Sequence, residues 1–311
     1  MDPIELIRII LSDGIPCCLL ALGVFLTFRI LDFADMTAEG SMLIGGATCG
    51  LLIKLGCPAF LGTFVGMLAG AVCGLITGIL NRLLNIPKLL SGIITMTASA
   101  SIAVLLFGMA NHEVFASEVA IEANSTIFAF LNPVIFKGWQ QVIVMSGVVA
   151  IVFAIIYFFF GTEYGMSIRA TGINERMAKA QGINTTITTI VCVCISNAMI
   201  GLAGALICQC NNGTNTASAT GYLVVGLASI LIGETIFGKR SFRNSLISIC
   251  LGSIVYFIIY GLATTLFNIT SDLLKLLYAI LIVIALCLPM IKEAIIKAAS
   301  KNKKKRQEGN R

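Results

Sequence analysis

The chain of 311 residues is 58% hydrophobic and only 12% charged, with a mean hydropathy of +0.97, a composition that excludes an ordinary soluble domain. Its formal net charge of +6 does not point to nucleic acid. Much of the excess sits in the tail Lys301, Lys303, Lys304, Lys305 and Arg306, directly after an apolar run, where it favours topology and anionic headgroups.

Asp2 and Glu5 precede the first long apolar run, so the N-terminus lacks the basic region of a cleavable signal peptide and no cleavage is expected. A membrane-spanning helix needs roughly 20 mostly apolar residues. Runs that meet or approach this read as helices at Ile15 to Leu31, Ser41 to Leu55, Phe60 to Leu80, Leu89 to Ala110 and Gln141 to Phe160. Four more follow at Thr186 to Cys208, Tyr222 to Phe237, Ser245 to Phe267 and Leu273 to Ile291. The expected fold is therefore an all-α integral membrane protein: a polytopic bundle of about nine spans in one domain over 1–291, followed by a basic cytoplasmic tail over 292–311. The second and seventh spans are short and flanked by glycine, which suits broken or re-entrant helices lining a cavity.

Basic loops set the orientation. Counting back two spans at a time from a cytoplasmic tail reaches Lys239, Arg240 and Arg243, then Arg169, Arg176 and Lys179, then Arg82 to Lys88. The alternate loops carry Glu113, Glu118 and Glu122 against Lys137, or no charge at all in Asn211 to Gly221, and belong outside. The count puts the N-terminus outside too, unless Ile4 to Leu11 or the second run hides another crossing.

Thr37-Ala-Glu-Gly40 followed by Gly45 and Ala47 has the spacing of Ser218-Ala-Thr-Gly221 followed by Gly226 and Ala228. The offset contains an odd number of expected spans, so the halves would be two inverted pseudo-repeats, a common transporter plan. Small residues also recur in membrane helices simply because they allow close packing.

The longest polar stretch on the expected inner face runs from Gly161 to Asn184. Asn174 can cap a short helix with Glu175 in its first turn, Met177, Ala178 and Ala180 giving an apolar side, and Gly182 ending it. Such a helix outside the bilayer offers a grip for a soluble partner, or lies on the headgroups. The pattern Gly165, Arg169, Ala170, Gly172, Asn174, Ala178, Gly182, Ile183, Asn184 resembles the coupling segment (161–185) of permeases in the ATP-binding-cassette importer family that includes branched-chain amino-acid and ribose systems. The stretches Ala21 to Gly40 and Leu89 to Thr97 look similar to a branch of that family whose members include tryptophan and tyrosine systems. The resemblance implies a homodimer of permeases, a cytoplasmic ATPase that binds ATP and magnesium, and an extracellular solute-binding lipoprotein. It also implies that Gly165, Arg169, Ala170, Gly172, Asn174, Ala178 and Gly182 couple to the ATPase.

No catalytic set is legible, since His112 is the only histidine and lies in an expected outer loop. There is no Gly-x-x-x-x-Gly-Lys-Ser/Thr phosphate loop, so this chain should not hydrolyse ATP. The eleven cysteines mostly fall in apolar runs and read as small hydrophobes, with no metal site expected. Polar residues that interrupt the spans are candidates for a solute path: Asp35, Thr37, Glu39, Asn197, Gln209, Asn212 and Glu234. Each can equally cap a helix or bond between helices without touching solute. An ion-coupled secondary transporter acting without an ATPase is the alternative, and would need acidic groups deep in several spans; a membrane-embedded enzyme would need a clustered polar site.

Overall fold

A computed structural model describes residues 3–106, 112–114, 127, 139–211, 213–215, 221–238, 241–267, 280 and 283. Within them, ten α-helices and one π-helical turn build the bundle: α1 (Pro3–Phe25), the π turn (Leu26–Ile30), α2 (Thr37–Lys54), α3 (Ala59–Arg82), α4 (Lys88–Leu106) and α5 (Gln140–Phe159). Then come α6 (Glu163–Ile173), α7 (Glu175–Ala180), α8 (Thr185–Cys210), α9 (Tyr222–Phe237) and α10 (Phe242–Phe267). Two three-residue strands, β1 (His112–Val114) and β2 (Gly213–Asn215), pair antiparallel. Among the described residues, six helices are long and apolar enough to cross a membrane. The expected ninth span, Leu273 to Ile291, lies outside the described residues.

α2, α3 and α8 pack together along a glycine-lined seam. Gly62, Gly66, Gly70, Gly74 and Gly78 recur every four residues on α3 and form one bare ridge along the helix. A Cβ on Gly70 would overlap the Asn197 carbonyl, and one on Gly66 would come within 2.6 Å of the Gly45 carbonyl. Lipid tails are as apolar as leucine, so close backbone packing of this kind, rather than apolar burial, holds membrane helices together.

The first span is longer than expected. Ile4 to Leu11 forms no separate crossing; it continues into α1 and then the π turn, a single rod ending at Ile30. Pro16 sits inside α1 and removes the amide that would bond the Ser12 carbonyl. The Cys210 thiol lies 4.0 Å from that carbonyl instead. α2 is continuous, not broken: the interruption lies just before it, at Leu31 to Met36, where Asp32 adopts a left-handed φ of 51°.

Arg82, Lys88, Arg169 and the start of α10 all gather at one end of the bundle, where Arg82 meets Glu175 and the Arg169 guanidinium lies 5.3 Å above the Phe242 ring. The basic segments that charge alternation assigns to one side thus lie on one side. Because α1 runs unbroken to that end, its N-terminus is at the other.

Candidate functional site

The polar segment between α5 and α8 folds as two helices, α6 and α7, where one was expected. Thr162 caps α6 by accepting the Gly165 amide, and Asn174 caps α7 through an Oδ1 that accepts the Met177 amide at 3.1 Å. Gly182 takes a φ of 83°, which ends the segment as expected and which other residues reach only with strain. Asn184 then caps α8, its Oδ1 accepting from Thr186 and Ile187 at 3.2 Å each.

Gly165, Arg169, Gly172 and Ala178 of the family-like pattern face inward, whereas Asn174, Gly182 and Asn184 are exposed. A Cβ on Gly172 would collide with the Ile30 carbonyl, so α6 lies directly against the π turn of α1. Gly165 packs equally tightly on the backbone of Phe159 and Phe160. Arg169 donates to the Phe160 carbonyl at 3.2 Å, and Ala178 is buried. Ala170 lies half-buried between them on α6. Glu175 anchors α7 by accepting from Arg82 at 2.7 Å, while Arg82 also donates to Thr189 on α8 at 2.8 Å. Those bonds, with Lys179 at 3.0 Å, hold the Glu175 carboxyl down at about 2, well below its ordinary 4.5, even against the opposing effect of burial.

The outward face of the same segment carries large exposed apolar side chains: Tyr164 (68% exposed), Met166 (49%), Ile173 (86%) and Met177 (61%). Of these, sequence reading singles out only Met177. The legible signal is that a polar segment holds apolar side chains that its own packing does not need.

The described interior candidates are engaged by protein partners, three of them in one network. Asp35 is buried; its Oδ1 accepts the Thr37 amide at 2.9 Å and its Oδ2 accepts from Asn197 Nδ2 at 2.7 Å. Asn197 Oδ1 accepts in turn from Ser41 at 2.7 Å, and the hydroxyls of Thr37 and Thr77 are 2.7 Å apart. This network locks the interruption before α2 to α3 and α8.

Gln209 donates to Thr63 Oγ1 at 2.7 Å and accepts the Ile127 amide at 3.0 Å, tying the far end of α8 to α3. Glu39 accepts the Gly221 amide at 2.9 Å, so the two similar stretches of the chain touch where α9 begins. Glu234 meets Arg29 of the π turn through two bonds of 3.0 Å. Asn212 lies outside the described residues. The structure therefore brings Asp35, Thr37 and Asn197 together and sets Glu39, Gln209 and Glu234 at three separate helix junctions.

Comparison with known proteins gives a consistent picture. The model of the family described as "Branched-chain amino acid transport system / permease component" matches residues 6–286. A tyrosine transport system permease protein of Clostridioides difficile is 32% identical over 88% of this chain and 88% of its own length. A nucleoside transporter permease of Lactococcus lactis is 29% identical over 43% of this chain and 39% of its own. Among solved structures, PsaBC from Streptococcus pneumoniae, determined in complex with a Fab, superposes with a TM-score of 0.51 over 90% of this chain and 88% of that one. At 17% identity, that likeness shows a shared fold.

Proposed function

The chain belongs to the family of branched-chain amino acid transport system permease components, and we propose that it is the membrane subunit of an ATP-binding-cassette importer. Two copies form the path for a small polar solute, an amino acid such as tyrosine or tryptophan. A cytoplasmic ATPase supplies the energy, with ATP and magnesium bound there, and an extracellular lipoprotein delivers the solute. The C-terminus and the α6–α7 segment face the cytoplasm.

The carrying observation is the two-faced build of α6 and α7. Their outward face presents Tyr164, Met166, Ile173 and Met177 to a partner, while Gly172 presses on the π turn without an intervening side chain. π turns inside helices are local irregularities that often mark functional positions. A push on the outer face reaches the end of α1 directly, and from there α9 through Arg29 and Glu234. Engagement of Asp35, Glu39 and Glu234 by protein partners favours this reading over ion coupling at those carboxylates.

The test is affinity purification of the tagged chain from its native membranes. Recovery of an ABC-type ATPase and a lipoprotein, and a rise in that lipoprotein's melting temperature with tyrosine or tryptophan, is the expected result. Solute uptake into vesicles holding this chain without an ATPase would overturn the importer reading. A lipoprotein stabilised only by other metabolites would overturn the aromatic amino-acid assignment alone.

A further inference from the structure

At the end of the bundle away from α6 and α7, a cavity of about 200 Å³ lies between α1 and α10. Ile10 and Asp13 line it from one stripe of α1, and Phe257, Tyr260, Gly261 and Thr264 from the facing stripe of α10, at the i, i+3, i+4, i+7 spacing of a single helix face. A Cβ on Gly261 would strike Ile10, so the glycine sets how closely the two walls approach. Asp13 is 17 residues before Ile30, roughly 25 Å along the helix axis at 1.5 Å per residue. The apolar span runs from Glu5 to Ile30, so the carboxylate lies within it, about 12 Å from its nearer end.

Every other embedded carboxylate described above has a protein partner. Asp13 has none: no hydrogen bond or ion pair from a described residue reaches it. A carboxylate at this depth is costly unless something answers its charge. The cavity walls indicate what does. Phe257 and Tyr260 pack edge to face with ring centroids 5.9 Å apart, and aromatic rings attract cations through their faces. The Thr264 hydroxyl, which donates to the Gly261 carbonyl at 2.9 Å, keeps lone pairs to accept a further N–H. A divalent metal would need several oxygen ligands, and one carboxylate does not supply them. A primary ammonium group needs one anion, one or two acceptors and an apolar wall.

We infer that the groove between α1 and α10 is a binding site for a primary ammonium group, held by Asp13 with Thr264 and the Phe257 and Tyr260 rings. The group can come from an ethanolamine headgroup of the surrounding lipid or from a free amine. The inference does not depend on the importer reading, because it uses no part of the coupling segment or the Asp35 network.

The experiment uses the full chain in nanodiscs, either of phosphatidylglycerol alone or of phosphatidylglycerol with equimolar phosphatidylethanolamine. Native mass spectrometry of the wild type should show retained phosphatidylethanolamine, reduced about tenfold or more in Asp13→Asn. That result assigns the lipid source. If instead free ethanolamine, but not its neutral analogue ethylene glycol, raises the melting temperature of the wild type in phosphatidylglycerol alone, the site takes soluble amines. Equal lipid retention by both variants, with no preference of the wild type for ethanolamine over ethylene glycol, overturns the inference. If Asp13→Asn does not fold, wild-type retention of phosphatidylethanolamine in preference to phosphatidylglycerol, or its preference for ethanolamine over ethylene glycol, still supports the inference, and the absence of both overturns it.

Discussion

Arg29 and Glu234 form a two-pronged ion pair, Nε to Oε1 and Nη2 to Oε2 at 3.0 Å each, joining the π turn at the end of α1 to the last turn of α9. The planar guanidinium matches the carboxylate in two directions at once, which fixes orientation as well as distance. Arg29 is 43% exposed, so solvent screening keeps the contribution to about 1 kcal/mol. Lysine at position 29 keeps the charge but loses the fork. Arg29→Lys is therefore expected to leave the melting temperature nearly unchanged while lowering solute-stimulated ATP hydrolysis in the reconstituted transporter. Unchanged stimulation would mean that the pair carries no mechanical role.

Gly172→Ala places a methyl group against the Ile30 carbonyl. Forcing that contact apart costs about 1–3 kcal/mol, as overpacking of a tight contact does. Because Gly172 faces inward, the ATPase should still co-purify with the variant while uptake falls sharply. Binding and transport measured on the same preparation separate these outcomes. Loss of ATPase binding with the fold intact would show that Gly172 belongs to the contact surface itself.

Asn197→Ala removes the amide that meets Asp35 Oδ2 and leaves a buried carboxylate short of a partner. Losing a buried hydrogen bond to a charged group costs about 1.5–3 kcal/mol. The variant is expected to be recovered at much lower yield and to unfold at lower temperature. Asn197→Asp should be worse still, since two carboxylates would then face each other across 2.7 Å.

The pH dependence of the coupling segment follows from Glu175. Its folded carboxyl is depressed to about 2 from an ordinary 4.5, so its pairing with Arg82 stabilises the fold fully above 4.5. The contribution is lost as pH falls from there towards 2, when the carboxylate takes up a proton. Arg82→Gln should thus lower the protection of α7 amides against hydrogen exchange at pH 7, and the difference from wild type should shrink progressively below pH 4.5. A difference that stays constant through acid would remove Glu175 as its cause.

How much of this was legible in the sequence depends on the kind of interaction. Apolar runs placed the described spans because a bilayer demands length and apolarity, which composition displays directly. Asn174 and Gly182 were readable because capping is local chemistry within a few residues. The π turn at Leu26–Ile30 was not, since nothing in Leu-Thr-Phe-Arg-Ile opposes an ordinary helix; the irregularity lies where the chain packs against α6.

The inward direction of Gly165, Arg169 and Gly172 escaped sequence reading for a related reason. A shared pattern tells which positions matter in a family, not whether they touch a partner or their own backbone. The glycine ridge of α3 escaped sequence reading too, although its four-residue period from Gly62 to Gly78 is visible there once the packing shows what it is for. The pairings Arg29 with Glu234 and Asp35 with Asn197 span 205 and 162 positions, and no local rule reaches across such distances.

The central claim is that α6 and α7 form a water-facing handle gripped by a cytoplasmic ATPase. Ile173, 86% exposed, is the most direct probe. Ile173→Cys, in a background whose native cysteines are replaced, should be protected from membrane-impermeant maleimide added to intact cells, react once the cells are opened, and form a site-specific cross-link to the ATPase. Labelling of that cysteine from outside intact cells would contradict the account.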